Sequence, residues 1–423
     1  MNISKRIKGD IFGGITAGII SLPLALGFGA VSGLGAAAGL YTAIILTFMA
    51  AIFGSTRTQI SGPTGPMTVV MATFIAVYAD NLAVIFMITA LAGIFQIIFG
   101  LTKLGKLIKI IPKAAISGFI SGIGCITIVL QLAPFFGLPA QGGVVNTIGY
   151  LLSLPALNVQ SALLGALALI IVTIPSQKWT KLIPVSLIAL VIGTLVSVIY
   201  HFDVPIIGTI PRALLEVRIA PIYFEKLLYI IPIALSIALV SSLDTLLTSR
   251  VVDKKLGTKH NSDKDLIGIG LGNAMAGVFG GFAGSNSTVP TMANIKFGGR
   301  TRFSGIISGA ILLGILLFMA PIARVIPLAV LAGILVKIGF SVIDWKFLGK
   351  IIRREQTAED MVAMLTVLGC TIFGYLITGV IAGTALYYMI RTVRYLLILR
   401  RRRLMTPKLP LGYENIFEGQ RVK

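Results

Sequence analysis

The sequence predicts an all-α polytopic membrane protein with 14 transmembrane segments in a 7+7 inverted repeat. Three observations carry that reading: the composition, the recurrence of apolar runs, and the placement of lysine and arginine. Of 423 residues, 56% are hydrophobic and 12% charged, and the mean hydropathy is +0.96. Soluble domains carry about 25% charged residues, so lipid must cover much of this chain. A net charge of +21 would suggest nucleic acid in a soluble protein. No basic tract here interleaves with aromatics, so no nucleic-acid partner is expected. The first apolar run follows Lys5, Arg6 and Lys8 without a small-residue cleavage site, so the first span is retained. Cys125 and Cys370 lie in apolar runs and read as small buried hydrophobes rather than disulfide or metal partners.

A spanning helix needs about 20 mostly apolar residues. Twelve full-length runs begin near Ile11, Gly35, Leu82, Ile116, Ser161, Leu182, Leu227, Leu266, Phe303, Leu328, Met361 and Leu376. Two short ones, over 67–79 and 289–297, stand third and tenth in order. If the N-terminus is cytoplasmic, the even-numbered gaps should be basic. The gap after the fourth span holds Lys103, Lys106, Lys109 and Lys113, and that after the eighth holds Arg250, Lys254, Lys255, Lys259 and Lys264. Lys346, Lys350, Arg353 and Arg354 follow the twelfth, and Arg400 to Arg403 follow the last. Only Arg212, Arg218, Lys226 and Arg324 fall outside; with Lys337 inside a span, 31 of the 36 basic residues lie on one side. The charge thus reads as an anchoring and lipid-contact signal. The expected location is the plasma (bacterial inner) membrane, with both termini cytoplasmic.

The third and tenth elements each follow a stretch that cannot be helical throughout, 61–67 (Ser-Gly-Pro-Thr-Gly-Pro-Met) and 284–290 (Gly-Ser-Asn-Ser-Thr-Val-Pro). Short, Gly/Pro-interrupted segments at matching positions in two halves point to a transporter built from inverted repeats. Dividing near residue 215 gives a first repeat over 1–215, a second over 216–398 and a short basic tail over 399–423. Non-helical backbone at membrane depth is tolerated only where it is buried in protein or lines a wet cavity. Two half-helices starting there aim unpaired N–H groups and partial positive charge at one point, for which an anion is the natural occupant.

Nearly all of the 15 acidic residues fall in loops or at span ends, but Asp244 lies within the eighth apolar run. A carboxylate there costs roughly 3 kcal/mol or more on insertion scales, so it needs a partner. Thr248, four residues on, shares its helical face. Asp244 is expected to hold a transported cation such as sodium, or a proton, with Thr248 and loop oxygens around it. The structural alternative is a pair with a basic residue, for which Lys337 is the nearest candidate. His201 and His260 stand in loops, too separated for a metal site, and are expected to be solvated. Gly118 and Gly122 have the spacing of helix packing. Phe28, in a Gly-rich stretch of the first span, is placed either on the cavity or in ordinary packing. No phosphate loop and no grouped nucleophile and base occur, so neither ATP hydrolysis nor another enzymatic activity is expected.

These residues resemble the sulfate permease (SulP) family of anion transporters, equivalent to solute carrier family 26. The matching text is Gly9-Asp10-Ile11-Phe12-Gly13-Gly14 with Leu22-Pro23, the 61–67 run, and Ser242-Leu243-Asp244-Thr245, within a resemblance covering about 9 to 395. The resemblance implies a core domain moving against a gate domain, a homodimer, and anion binding between the third and tenth half-helices. The wording is closest to the sodium-dependent bicarbonate transporters of that family. By that resemblance Asp244, Thr248, Asn286, Ser287 and Thr288 would hold sodium. Phe28, Thr64, Gly65, Ser287 and the N–H groups near Thr68 would face the anion. Leu24 stands where many sulfate-transporting relatives carry glutamine, and Pro290 near where animal members carry arginine; both departures suit a small monovalent anion. Most members append a cytoplasmic STAS domain, of which this chain shows none after Arg403.

The expected function is sodium-coupled uptake of bicarbonate by an elevator-like alternating-access mechanism, with no organic cofactor. The runner-up is a proton-coupled sulfate or dicarboxylate symporter, in which Asp244 takes the proton. An uncoupled anion channel is a third reading, which single-channel currents would separate from a carrier. A nucleobase permease of the same fold would place an acidic residue near the tenth element, and 281–299 has none.

Overall fold

Backbone surrounded by lipid must hydrogen-bond to itself, so apolar runs bounded by glycine, proline or charge become helices. The computed structural model describes residues 3–405 apart from 79, 142, 154, 175–184, 209–226 and 374. The expected repeat boundary near residue 215, the helix start at Leu182, and Arg212, Arg218 and Lys226 lie outside the described residues, as does 406–423. The order is α1 (Ile3–Ser32), α2 (Ala36–Phe53), β1 (Ser61–Gly62), α3 (Gly65–Val77), α4 (Leu82–Leu101), α5 (Lys113–Phe135), α6 (Val144–Leu152), α7 (Val159–Thr173) and α8 (Val185–Ile199). There follow α9 (Leu227–Leu256), α10 (Ser262–Val278), β2 (Ser285–Asn286), α11 (Thr288–Lys296), α12 (Arg302–Ala323), α13 (Leu328–Val342), α14 (Trp345–Ile352), α15 (Ala358–Ile372) and α16 (Leu376–Met405).

A helix stands at each expected run, and the short third and tenth elements are α3 and α11, of 13 and 9 residues. Among the described residues five helices are long and apolar enough to cross a membrane, namely parts of α1 and α9 and all of α2, α4 and α5, with a sixth span if the bent pair α13 and α14 counts as one. Several others, such as α7, α13 and α15, have 15 residues. At 1.5 Å per residue that is about 22 Å, short of a hydrocarbon core of about 30 Å. Between α13 and α14 the chain bends by 52°. Lys346 and Lys350 therefore ride on a short helix instead of a loop. The basic run Arg400 to Arg403 continues α16 instead of opening a tail at 399.

The helices sort into two packing groups, each drawing on both ends of the chain. In one, α10 packs on α4 and α2, α12 on α1 and α2, α9 on α4, and α11 on α1. In the other, α5 packs on α13 and α15, α13 on α7, α7 on α8, and α15 on α16. Small residues set the close approaches. A Cβ at Gly93 would lie 2.2 Å from the Ala274 backbone nitrogen, and one at Gly118 would lie 2.4 Å from the Met364 carbonyl oxygen.

At the end of the molecule that carries the N-terminus of α1, two buried carboxylates hold turns in place. Asp10 accepts from the backbone N–H of Arg300 (2.7 Å) and Thr301 (2.9 Å) and from the Thr301 hydroxyl. Asp265 accepts from the N–H of Ser55 (2.6 Å) and Thr56 (2.9 Å) and from the hydroxyls of Thr56 and Ser249. Leaving one such buried donor unpaired costs about 1–3 kcal/mol. Asp265→Ala orphans four, so it should lower the melting temperature of the purified protein by several degrees; an unchanged midpoint would mean that water replaces the carboxylate without loss.

Candidate functional site

The extended stretches before α3 and α11 cross near the middle of the first packing group. Their centres pair as β1 and β2, antiparallel, with Ser61 opposite Asn286 and Gly62 opposite Ser285. Buried side chains hold both strands. Asn273 accepts from the Gly284 N–H through Oδ1 (2.8 Å) and donates through Nδ2 to the Gly284 carbonyl (3.1 Å) and to Gln96 Oε1 (2.7 Å). Ser241 also donates to the Gly284 carbonyl, at 2.6 Å. On the other strand the Thr47 hydroxyl donates to the Ser61 carbonyl (2.6 Å), while ahead of β2 Thr42 accepts from the Phe282 N–H (2.9 Å). The glycines, prolines and serines of these runs permit extended backbone, and the polar neighbours satisfy it.

Among the described residues, α7, α10, α14 and α15 are capped by the side chain of their own N-cap residue: Asn158, Asn261, Asp344 and Thr357. The N-cap residues of α3 and α11, Thr64 and Ser287, are equally good capping types. Neither makes a side-chain cap bond. First-turn donors of both half-helices are thus left to whatever lies between them.

Which donors these are corrects part of the expected anion set. The Thr68 N–H bonds to the Thr64 carbonyl at 2.9 Å, and its hydroxyl donates to the same oxygen. Thr68 is fully buried and does not line the cavity. The Ser287 N–H is likewise spent on the Ile60 carbonyl, at 2.9 Å. Since Pro66 and Pro290 have no N–H, the amides left without a partner among the described hydrogen bonds are those of Gly65, Met67, Thr288 and Val289.

Asp244, 7% exposed, faces this crossing from α9. Its Oδ2 accepts from the Thr64 hydroxyl at 2.9 Å and from the Ser285 hydroxyl, and those two hydroxyls are 2.7 Å apart. Oδ1 accepts no hydrogen bond among the described residues. One turn on, the Thr248 hydroxyl lies 3.2 Å from the Asn286 carbonyl and 3.0 Å from the Thr288 hydroxyl. Asn286 contributes its carbonyl here, because its side-chain oxygen is taken by Ser61 at 2.7 Å. No ion pair of Asp244 with Lys337 or any other basic residue occurs among the described residues.

These groups enclose a cavity of about 60 Å³ lined by Thr64, Gly65, Asp244, Thr248, Asn286, Ser287 and Thr288 together with Phe28 and Leu24. Its far wall, from α5 and α13, is Ile120, Ile123, Thr127, Ile338 and Val342. All expected anion and cation residues except Thr68 therefore meet in one place. Ser285, whose hydroxyl bonds to Asp244, was missed, although its position within the 284–290 run was a usable signal. A larger, mostly apolar pocket of about 300 Å³ opens farther along α1, α5 and α13, lined by Gly27, Gln131, Pro205 and Leu331 among others. Between the two, Leu24, Phe28 and Leu335 form a buried apolar cluster, so Phe28 serves both packing and the cavity wall.

Other expectations change. His260 is not solvated: its side chain is 7% exposed, with Nδ1 2.6 Å from Asp253 Oδ2. Asp244 is not the lone buried carboxylate, since Asp10, Asp265 and Glu359 are also buried. Cys125 and Cys370 are free and half-buried, and so lie less deep than their apolar runs suggested. Gly118 and Gly122 do pack helices, against α15.

Comparison with known proteins places this geometry in a family. Residues 7–366 match the model of the sulfate permease family. The chain is 43% identical over 399 residues to the bicarbonate transporter BicA of Picosynechococcus sp., covering 90% of this chain and 69% of that protein. It is 32% identical over 407 residues to the putative sulfate transporter YvdB of Bacillus subtilis, covering 92% and 76%. Among solved structures, the transmembrane domain of a cyanobacterial bicarbonate transporter, BicA, superposes with a TM-score of 0.79 at 40% identity, over 90% of this chain and 98% of that one. Matched along most of its length, with two uncapped half-helices meeting a buried aspartate, the chain belongs to the sulfate permease family.

Proposed function

We propose that the chain is a secondary transporter that carries bicarbonate, or a similar small monovalent anion, together with sodium. The observation that carries this reading is the convergence on one cavity of about 60 Å³ of uncapped helix N-termini and an aspartate that has no basic partner among the described residues. Four free amides favour an anion. The oxygens of Asp244, Thr248, Thr288 and the Asn286 carbonyl are the all-oxygen set a hard cation takes. A bound cation offsets the carboxylate, so anion and cation favour each other's binding and the loaded site is near neutral. The 43% identity to BicA, named a bicarbonate transporter, supports the choice of anion.

The polar wall comes from α3, α9 and α11 and the opposing wall from α5 and α13 is nearly all apolar. Such a seam lets one group of helices slide past the other without breaking hydrogen bonds, which supports an elevator-like movement. The packing pattern also supports the 7+7 inverted repeat. Exchanging α1, α2, α3 and α4 with α9, α10, α11 and α12 turns the α1–α12 contact into α9–α4, and the α2–α12 contact into α10–α4. The α13–α7 contact becomes α5–α15 in the same way, and α2–α10 and β1–β2 map onto themselves. Leu24, Phe28 and Leu335 then form the apolar plug that closes the site from the pocket beyond.

One observation favours a second reading. The hydroxyls of Thr64 and Ser285 have two protons for three mutual oxygen contacts with Asp244. A proton on Asp244 completes the set, which is the arrangement a proton-coupled carrier needs. Labelled bicarbonate uptake into proteoliposomes, with and without an inward sodium gradient at fixed pH, decides between them. Uptake stimulated by sodium is expected; uptake indifferent to sodium that rises when the outside is acidified would transfer Asp244 to the proton.

A further inference from the structure

Arginine side chains at the N-terminal end of α1 form a second polar site outside the cavity. Arg6 from α1, Arg57 from the 54–60 turn, and Arg302 from the start of α12 line one open concavity of about 450 Å³, with Thr301 and Phe303. Arg57 also lines an adjoining hollow of about 490 Å³ that contains Lys259 and Arg300. Five cations from four chain segments thus gather within two connected depressions.

Among the described residues, no acidic side chain lines the concavity of Arg6, Arg57 and Arg302. Of the nearby carboxylates, Asp10 accepts from the backbone N–H of Arg300 and Thr301, Asp265 from those of Ser55 and Thr56, and Asp253, which lines the adjoining hollow, is bonded to Thr258 and His260. None of the five cations makes an ion pair among the described residues. Arg302 is held in place by donating to the Ile52 (3.1 Å) and Gly54 (2.6 Å) carbonyls, while the Arg6 and Arg57 guanidiniums make no hydrogen bond among the described residues. Beside them stand exposed apolar side chains: Ile52 and Phe53, each 43% exposed, and Phe303, 49% exposed. Fixed guanidinium next to free guanidiniums suits a phosphate, which accepts bidentate bonds. An apolar shelf against the same cluster suits acyl chains and not a soluble anion.

We propose that this concavity binds the headgroup phosphate of an anionic phospholipid, with Arg6 and Arg57 as donors and the acyl chains against Ile52, Phe53 and Phe303. The site lies on the basic side of the molecule, where the leaflet carries anionic lipid. All its residues belong to the packing group that holds Asp244, so lipid bound here would travel with that group or tether it to one leaflet.

The test is thermal unfolding of the full chain in nanodiscs of phosphatidylcholine alone and of phosphatidylcholine mixed with phosphatidylglycerol. Phosphatidylglycerol should raise the midpoint by several degrees, because a ligand bound only by the folded state stabilises it. Arg6→Gln/Arg57→Gln should match the parent in phosphatidylcholine and lose most of that shift. Lys346→Gln/Lys350→Gln, which removes equal charge from exposed positions on α14, should keep it. An equal loss in both variants would mean diffuse surface attraction and would overturn the site, as would no shift in the parent. Inorganic phosphate reproducing the shift in phosphatidylcholine discs would overturn the lipid assignment. The readout is independent of transport, so it stands apart from the outcome of the uptake assay.

Discussion

Asp244→Asn should reduce sodium-stimulated uptake to background while leaving the protein folded. The substitution keeps the size of the side chain and an oxygen for the Thr64 and Ser285 hydroxyls, so the strand crossing keeps its donors. It removes the only charged group among the described residues that line the cavity. Taking one partner from a buried ionic interaction costs about 3–5 kcal/mol, which corresponds to a loss of sodium affinity of about 100-fold or more. Uptake against sodium concentration, with the melting temperature measured in parallel, checks both halves. Retained sodium coupling would remove Asp244 from the cation site. A variant that unfolds would show that the carboxylate serves the fold and not the ion.

Gly284→Val should abolish uptake through the backbone, without touching a charged group. A Cβ at residue 284 would lie 2.4 Å from the Gly62 carbonyl oxygen and 2.6 Å from Leu46 Cδ2. The strand has no room to retreat, because Gly284 is bonded through both its N–H and its carbonyl to Asn273 and through its carbonyl to Ser241. Overpacking of this kind costs about 1–3 kcal/mol, and each hydrogen bond broken to relieve it about 1 kcal/mol more. The expected result is a clear fall in melting temperature and no transport. Gly314→Ala is the control: nothing lies within 4 Å of a Cβ there, so uptake and stability should both be kept. If Gly284→Val transported normally, the close crossing of β1 and β2 would have no part in the cycle.

Helix positions could be read from the chain because each is a local property. A run such as Leu82–Leu101 is apolar but for Thr89 and Gln96, and 61–64 stays extended until α3 starts at Gly65, for reasons contained in those Gly/Pro-rich residues. Lengths followed local stop signals that a count of apolar residues passes over: α7 ends at Thr173, two positions before Pro175, and α13 ends at Val342, just before Asp344 caps α14 and the chain bends by 52°. Asp244 was legible as a site for a related reason, since a charge inside an apolar run needs a partner wherever the run ends up. Which amides near Thr68 and Ser287 stay without a partner was not legible, because helix phase spends the Thr68 N–H on Thr64 and the strand crossing spends the Ser287 N–H on Ile60.

The residues alone specify a lipid-embedded helical chain, two interrupted segments, and one deep aspartate, since composition and sequence-local propensity suffice for each. Tertiary structure alone brings Thr64 and Ser285 to Asp244 across separations of 180 and 41 residues. It also shows that neither Thr64 nor Ser287 caps its own helix, and gathers Arg6, Arg57 and Arg302 into one hollow. Helical periodicity specifies which face a residue occupies. Which other face it meets depends on packing among segments far apart in the chain, and hydrogen-bond partners are allotted only there.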